Sequence, residues 1–280
     1  MPRPLIAFAY FGGKSIHLKN LIPLIPKHRI YVEPFMGGLS VLLNKPRAEV
    51  DIVNDKNDEI VNFFRVLRDR PDDLIQQLQL TPYARTEYAE ASSSLLDDDI
   101  ERSRKFFVRI SLGWGGIPIE ETSSRQWAPP TIREKSHGRD ARRRGKESQF
   151  LDAIDKKLPH VSHRLRGVAI ENDDALAVIK RYDHHTDTFY YVDPPYVANT
   201  RTQSNVYTHE MIDSDHEKLH EVLNGVQGNV MLSGYPSELY DDLYWDWYRK
   251  DFSVVAMTQR GNTTGQRTEC VWMNYDPEEV

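Results

Sequence analysis

The sequence predicts an α/β fold, an open sheet whose strand–helix alternation is interrupted by a mostly helical insertion. Three observations predict it. The first sixty or so residues alternate short β-branched and aromatic runs with amphipathic stretches. From about Asp69 to Gly167 the texture turns helical and charged, and after Gly167 the strand–helix rhythm returns. At 280 residues the chain suffices for one large domain or one domain carrying an insertion, and 39% hydrophobic residues can fill its core.

In chain order, RIYVE (29–33) reads as a strand, PFMGG (34–38) as a turn, and Leu39 to Leu43 as an apolar helix. AEVDIVND (48–55) is a second strand ending at Asp55, followed by the helix IVNFFRVLRD (60–69). Inside the insertion, SSSLLDDD (92–99) marks a loop or a helix start ahead of KFFVRISLGWGGIP (105–118). The rhythm resumes with the strand VAIEND (168–173), the helix DALAVIKRY (174–182) and the strand FYYVDPPY (189–196). A helix over DSDHEKLHEVLNGV (213–226) leads into the strand NVMLSGY (229–235). The end, 252–275, reads as two strands around a Gly/Asn/Thr hairpin.

Composition excludes several classes. No apolar run approaches the roughly 20 residues that span a bilayer, so no membrane partner is expected. MPRPLIAFAYFGGKS lacks a small-residue cleavage site, so no signal peptide is expected. The lone Cys270 excludes an internal disulfide and a cysteine-based zinc cluster, which suits a reducing cytoplasm. It precedes VWMNY in a core strand and reads as a small buried residue. Net charge −6 argues weakly against nucleic acid, yet residues 133–147 hold seven Lys/Arg against three acids, a local +4.

Ligands bind at the carboxyl ends of strands in open α/β sheets. The stretch VEPFMGG (32–38) puts glycines after a strand, where backbone can approach a ligand, with Glu33 as an acceptor beside them. Asp55 lies eighteen positions beyond Gly37, about the separation at which a carboxylate meets ribose hydroxyls. Taken singly, each is equally a turn glycine or a helix-capping acid. No G-x-G-x-x-G is present, and FGGKS (11–15) is not a phosphate loop, because position 8 is Phe. HEKLH (216–220) matches H-E-x-x-H, the zinc-hydrolase arrangement. Its longer metalloprotease form fails at Leu223, and an exposed amphipathic helix that carries two histidines is the simpler reading; Glu238 stays open as a distant ligand. His160 and His163 read as surface residues, and no serine or cysteine triad stands out.

YYVDPPYV (190–197) reads as a buried strand that must stop at its prolines, which cannot donate to a sheet ladder. AYFGGK (9–14), YVEPFMGG (31–38), NDKN (54–57) and VDPPY (192–196) then stand in the order and spacing of one family. In these motifs the sequence resembles the Dam-like DNA adenine-N6 methyltransferases (D12 class, alpha group). The resemblance covers roughly 1–67 and 168–280, and the four motifs in order are far more specific than DPPY alone.

The resemblance implies a Rossmann-like methyltransferase sheet with an inserted, mostly helical target-recognition domain. Residues 1–67 and 168–280 would form the catalytic domain that binds S-adenosylmethionine, and 68–167 the DNA-binding insertion. It gives Asp193, ionised, and the backbone carbonyl of Pro194 as acceptors for the two N–H groups of a target amine. Pro195 stiffens the turn and Tyr196 offers a face for stacking. The amine would attack the sulfonium methyl in line, with no metal, on a base flipped out of double-stranded DNA. Tyr10 and Lys14 would line the cofactor and target pocket, and Phe35, Gly37 and Gly38 the loop beneath the methionine part. Glu33 and Asp193 join them as cofactor contacts, Asp55 would meet the ribose, and Asp173 the cofactor adenine, with Asp174 as the alternative.

Recognition of DNA is expected in the insertion. Arg139, Arg142, Arg143 and Arg144 would neutralise phosphates, and Arg125, Gln126 and Trp127 would reach bases or wedge the gap left by a flipped one. The arginine-, asparagine- and proline-bearing pattern of GATC readers is not reproduced, so the target site stays open. Three rival readings remain: cytosine-N4 methylation at a DPPY site, a zinc hydrolase using HEKLH, and a catalytically silent DNA-binding module. A partner restriction endonuclease is compatible with the family.

Overall fold

The computed structural model describes residues 3–10, 12–91, 97–113, 127–130, 145–197, 211–257 and 263–279. Its strands are β1 (Ile30–Glu33), β2 (Val50–Asn54), β3 (Ala169–Glu171), β4 (Thr188–Val192), β5 (Asn229–Gly234), β6 (Tyr248–Met257) and β7 (Thr263–Met273). Among the described residues the helices are α1 (Leu18–Leu21), α2 (Asp58–Asp69), α3 (Pro71–Gln79), α4 (Arg85–Glu90), α5 (Asp99–Leu112), α6 (Lys146–Asp152), α7 (Leu158–Leu165), α8 (Ala175–Arg181), α9 (Asp213–Gly225) and α10 (Glu238–Leu243). The strands form one sheet in the order β3-β2-β1-β4-β5-β7-β6. β1 to β5 pair in parallel, and β7 runs antiparallel between β5 and β6.

Parallel strands need both faces covered, so β4 is buried at every residue and shows no polar alternation. On one face Val32, Tyr190, Val192 and Leu232 pack with Val178 of α8, Leu219 of α9 and Tyr240 of α10. On the other, Tyr31 and Phe189 lie 6.0 Å apart, with His28 and Tyr275 against Phe189. A buried ion pair closes the β1–β2 connection, Lys45 Nζ to Asp51 Oδ1 at 2.9 Å. The same ammonium sits 4.2 Å from the centre of the Tyr31 ring.

By packing, the chain divides into two compact units. One comprises 16–36, 45–57 and 167–280 and holds the sheet; the other comprises 1–15, 37–44 and 58–166 and holds α2 to α7. This division follows contacts, not function, and α2 falls in the helical unit. The reason is aromatic: Phe63 stacks on Phe107 at 5.8 Å, and Phe8 meets Phe63 and Phe106 edge-on. Asp98 caps α5 by accepting from the N–H groups of Ile100 and Glu101. Buried Arg109 on α5 bonds Glu59 of α2 and the Ala91 carbonyl.

One expected element is absent. Leu39 to Leu43 forms no helix but a turn, with Leu43 N–H on the Leu39 carbonyl and Asn44 N–H on that of Val41. Gly37 at φ +41° and Leu39 at φ +55° put left-handed backbone where a right-handed helix would begin. The short helix α10 lies where the sequence predicts no element; Ser237 caps it by accepting from Tyr240 N–H.

Candidate active site

In the sheet unit, β1 and β4 are neighbours, yet β1 is followed outward by β2 on one flank and β4 by β5 on the other. Strand order reverses between them, and a crevice at the carboxyl ends of such a pair is where ligands bind. Glu33 closes β1 and Asp193 follows β4, so the sheet brings these two acids to the same edge.

Asp193 is half-buried and Oδ1 accepts from Ser233 Oγ at 2.7 Å. That serine oxygen lies 3.3 Å from the Tyr191 hydroxyl. With the serine hydrogen directed to the carboxylate, any bond between the two hydroxyls has the tyrosine as its donor. Pro194 is buried and Pro195 half-buried. Tyr196 is buried, its hydroxyl donates to Glu269, and its ring meets Tyr235 edge-on at 4.6 Å and 72°. Burial, then the nearby Asp193 and Glu269 carboxylates, pushes the Tyr196 phenol well above its usual range, so it stays a donor.

The loops after β1, β2 and β3 are tied together by one side chain. Asn54 Nδ2 donates to the Pro34 carbonyl at 2.9 Å and to the Asp173 carbonyl at 3.1 Å, while its Oδ1 accepts from Asp173 N–H at 2.9 Å. Met36 N–H adds a bond to the Asn54 carbonyl, and Asn172 Nδ2 one to the Asp55 carbonyl. Asn54 is fully buried, so these bonds satisfy groups that water cannot reach. Asp55 is half-buried and accepts from Asn57 N–H ahead of α2. Asp173 pairs with Arg181 Nη2 at 2.6 Å, which holds its carboxyl below the usual carboxylate range. Asp174 is committed elsewhere, capping α8 through Leu176 and Ala177 N–H. Glu33 is buried and accepts from the Tyr31 hydroxyl at 2.7 Å, and Phe35 packs against the sheet core.

In the helical unit, Tyr10, Gly37 and Gly38 lie together. A Cβ on Gly37 would come 3.2 Å from Tyr10 Cε1, and one on Gly38 would come 3.0 Å from Tyr10 Cβ. Gly37 also needs its positive φ, so both the backbone shape and the close approach demand glycine. Lys14 is buried, with Nζ on the Gly12 carbonyl at 3.0 Å. Trp127 is half-buried beneath the Arg85 guanidinium at 4.8 Å and beside Tyr83. Arg125, Gln126, Arg139, Arg142, Arg143 and Arg144 lie outside the described residues.

The HEKLH histidines do not sit on the exposed face expected of them but pack against α10. His216 is fully buried, with Nδ1 3.0 Å from the Tyr240 hydroxyl, and His220 Nε2 lies 2.7 Å from Asn224 Nδ2. Burial lowers the His220 pKa. Among the described residues no three His, Cys, Asp or Glu side chains gather as metal ligands would. Cys270 is buried on β7 and accepts from Arg249 at 3.4 Å; burial pushes its thiol up to about 12. His160 and His163 are exposed.

Sequence reading missed Asn54, Ser233, Tyr235 and Glu269. Asn54 was visible inside NDKN, overshadowed by the acid after it. Ser233 closes an apolar strand, a small polar residue where a hydrophobic one would pack. Glu269 is an acid in a strand otherwise bound for the core, a conflict that marked it as needing a partner.

The family model for D12 class N6 adenine-specific DNA methyltransferases matches residues 10–260. Over 284 aligned residues the chain is 26% identical to the type II methyltransferase M1.LlaDCHI of Lactococcus lactis subsp. cremoris, spanning 94% of this chain and 93% of that relative. It is 24% identical over 271 residues to the type II methyltransferase M.MjaIII of Methanocaldococcus jannaschii, spanning 86% and 88%. A shorter match, 32% over 68 residues, links 24% of the chain to 9% of the DNA N-6-adenine-methyltransferase of Escherichia phage P1.

Proposed function

The chain belongs to the D12 class N6 adenine-specific DNA methyltransferase family, and on that premise we propose how its residues methylate DNA. The methyl donor is S-adenosylmethionine, whose sulfonium supplies an electrophilic methyl group. The residues present fit such a donor. The half-buried Asp55 and the partly exposed Asp173 offer carboxylates at the ends of neighbouring strands, the chemistry that ribose hydroxyls and an adenine amine require. Gly37 and Gly38 let Tyr10 lie against bare backbone, a close approach that a Cβ at either position would obstruct. Glu33, Phe35 and Lys14 complete the assignment of donor contacts by motif.

Asp193 acts on the target. An adenine amine is a poor nucleophile because its lone pair is delocalised into the ring. The Asp193 carboxylate accepts one N–H and the Pro194 carbonyl the other, which favours the pyramidal, nucleophilic form. Tyr196 meets the base with its ring, since its hydroxyl is engaged by Glu269. Because the amine lies inside the duplex, the base is extruded, and acceptors fixed beforehand avoid reorganisation during attack. The observation that carries this reading is Asp193 at the carboxyl end of β4, beside the point where strand order reverses, with Oδ1 held by Ser233.

Residues 68–167 supply the DNA contacts in this scheme. Trp127, Arg125 and Gln126 meet the bases, while Arg139, Arg142, Arg143 and Arg144 meet phosphates of the duplex. Relatives named as type II methyltransferases fit a modification role beside a restriction endonuclease of the same site specificity. Incubation with labelled S-adenosylmethionine and mixed-sequence duplex DNA, then digestion to nucleosides, tests the scheme. Label is expected in N6-methyladenine. Label in N4-methylcytosine overturns the base assignment, and DNA binding without transfer would leave only a silent binding module.

A further inference from the structure

We propose that Glu269 is a positioning residue for methyl transfer, fixing the ring of Tyr196 through its hydroxyl; this rests on the reading of the 193–196 turn given above. Glu269 stands on β7 next to Cys270, which pairs with Gly234 of β5. It is only 4% exposed. A carboxylate so buried is unfavourable unless hydrogen bonds satisfy it, and nothing in the packing of a sheet core calls for one.

Its bond from Tyr196 has a directional consequence. A carboxylate can only accept, so the phenol can only donate, and the far end of the ring is pinned. Tyr235 presses on the same ring at 4.6 Å and 72°. A ring held at its hydroxyl and pressed by a second ring cannot tilt freely about Cβ. If that ring meets the target base, the orientation it imposes is set by β7, a strand 73 residues away in sequence. Holding reacting groups in place beforehand lowers the barrier without touching them.

The test is kinetic and uses the full chain with S-adenosylmethionine and substrate DNA. Glu269→Ala is expected to lower kcat about 10-fold, the effect of losing one hydrogen bond to a charged group, with KM for the methyl donor unchanged. Glu269→Gln should lose less, because its amide oxygen still accepts. Tyr196→Phe removes the other half of the same bond, so the E269A/Y196F double variant should be no slower than the slower single one. Losses that multiply, or an E269A protein that melts lower with unchanged kcat, overturn the proposal. If E269A does not fold, the E269Q loss should vanish in the Y196F background; a loss that persists there overturns it equally. Asp193→Ala separates the two levels. Transfer near the unsubstituted rate in that variant removes the reading of the turn and this proposal together; transfer lowered by about 10²–10³-fold, with uncoupled Glu269 and Tyr196, removes only the proposal.

Discussion

Ser233 Oγ donates to Asp193 Oδ1 at 2.7 Å, joining the end of β5 to the turn after β4 across 40 residues of sequence. The bond fixes one carboxylate oxygen and therefore the direction of the other. Replacing Ser233 by Ala should lower kcat about 10-fold while shifting stability by about 1 kcal/mol. Turnover and thermal melting measured side by side check this, and a variant with unaltered kcat would sink it.

Asp193 itself should carry the larger effect. In the proposed scheme it accepts from the amine during attack, so Asp193→Ala should cost about 10²–10³ in kcat, like removal of one preorganised transition-state partner. Its half-buried side chain leaves little packing to lose. Circular dichroism should show a native fold; substantial methyl transfer by this variant contradicts the assignment.

Asn54 should control the three loops it joins. Asn54→Ala strands the Pro34 and Asp173 carbonyls and the Asp173 N–H, at a cost of about 2–3 kcal/mol. Asn54→Asp keeps the acceptor but turns a second oxygen toward two carbonyls, so it should be no better. Denaturant unfolding measures the stability change and calorimetry the weaker binding expected for the proposed donor, S-adenosylmethionine. An unchanged midpoint in both variants would refute the role.

The Lys45–Asp51 pair, with side chains 0% and 4% exposed, should be costly to break and cheap to replace whole. Asp51→Asn leaves a buried ammonium short of its counter-charge and should destabilise by about 3–5 kcal/mol. The K45M/D51L double variant should lose less. Urea midpoints for the three proteins decide it, and a double variant weaker than D51N would argue against this account.

Arg142, Arg143 and Arg144 test the proposed phosphate contacts. Converting all three to Ala should make the slope of log K against log salt less negative by about 2–3, one counterion for each lost contact. DNA titrations at several salt concentrations read the slope directly. No change would refute the proposed phosphate role of these arginines.

The sequence by itself determined what is local. Apolar runs ending in Glu33, Asp55 and Asp193 gave β1, β2 and β4, because strand length and the prolines after β4 are written in consecutive residues. The helix expected after Gly38 failed for an equally local reason that periodicity does not register, the positive φ of Gly37 and Leu39. Only the tertiary structure decided who holds the site. Asn54 reaches Asp173 across 119 residues, and Glu269 reaches Tyr196 across 73. These partners depend on which strands are neighbours and in what register: β7 reversed beside β5, with Cys270 opposite Gly234. A hydrogen bond between strands needs both residues at one height on one face, a condition that strand order imposes and no single stretch of chain can carry.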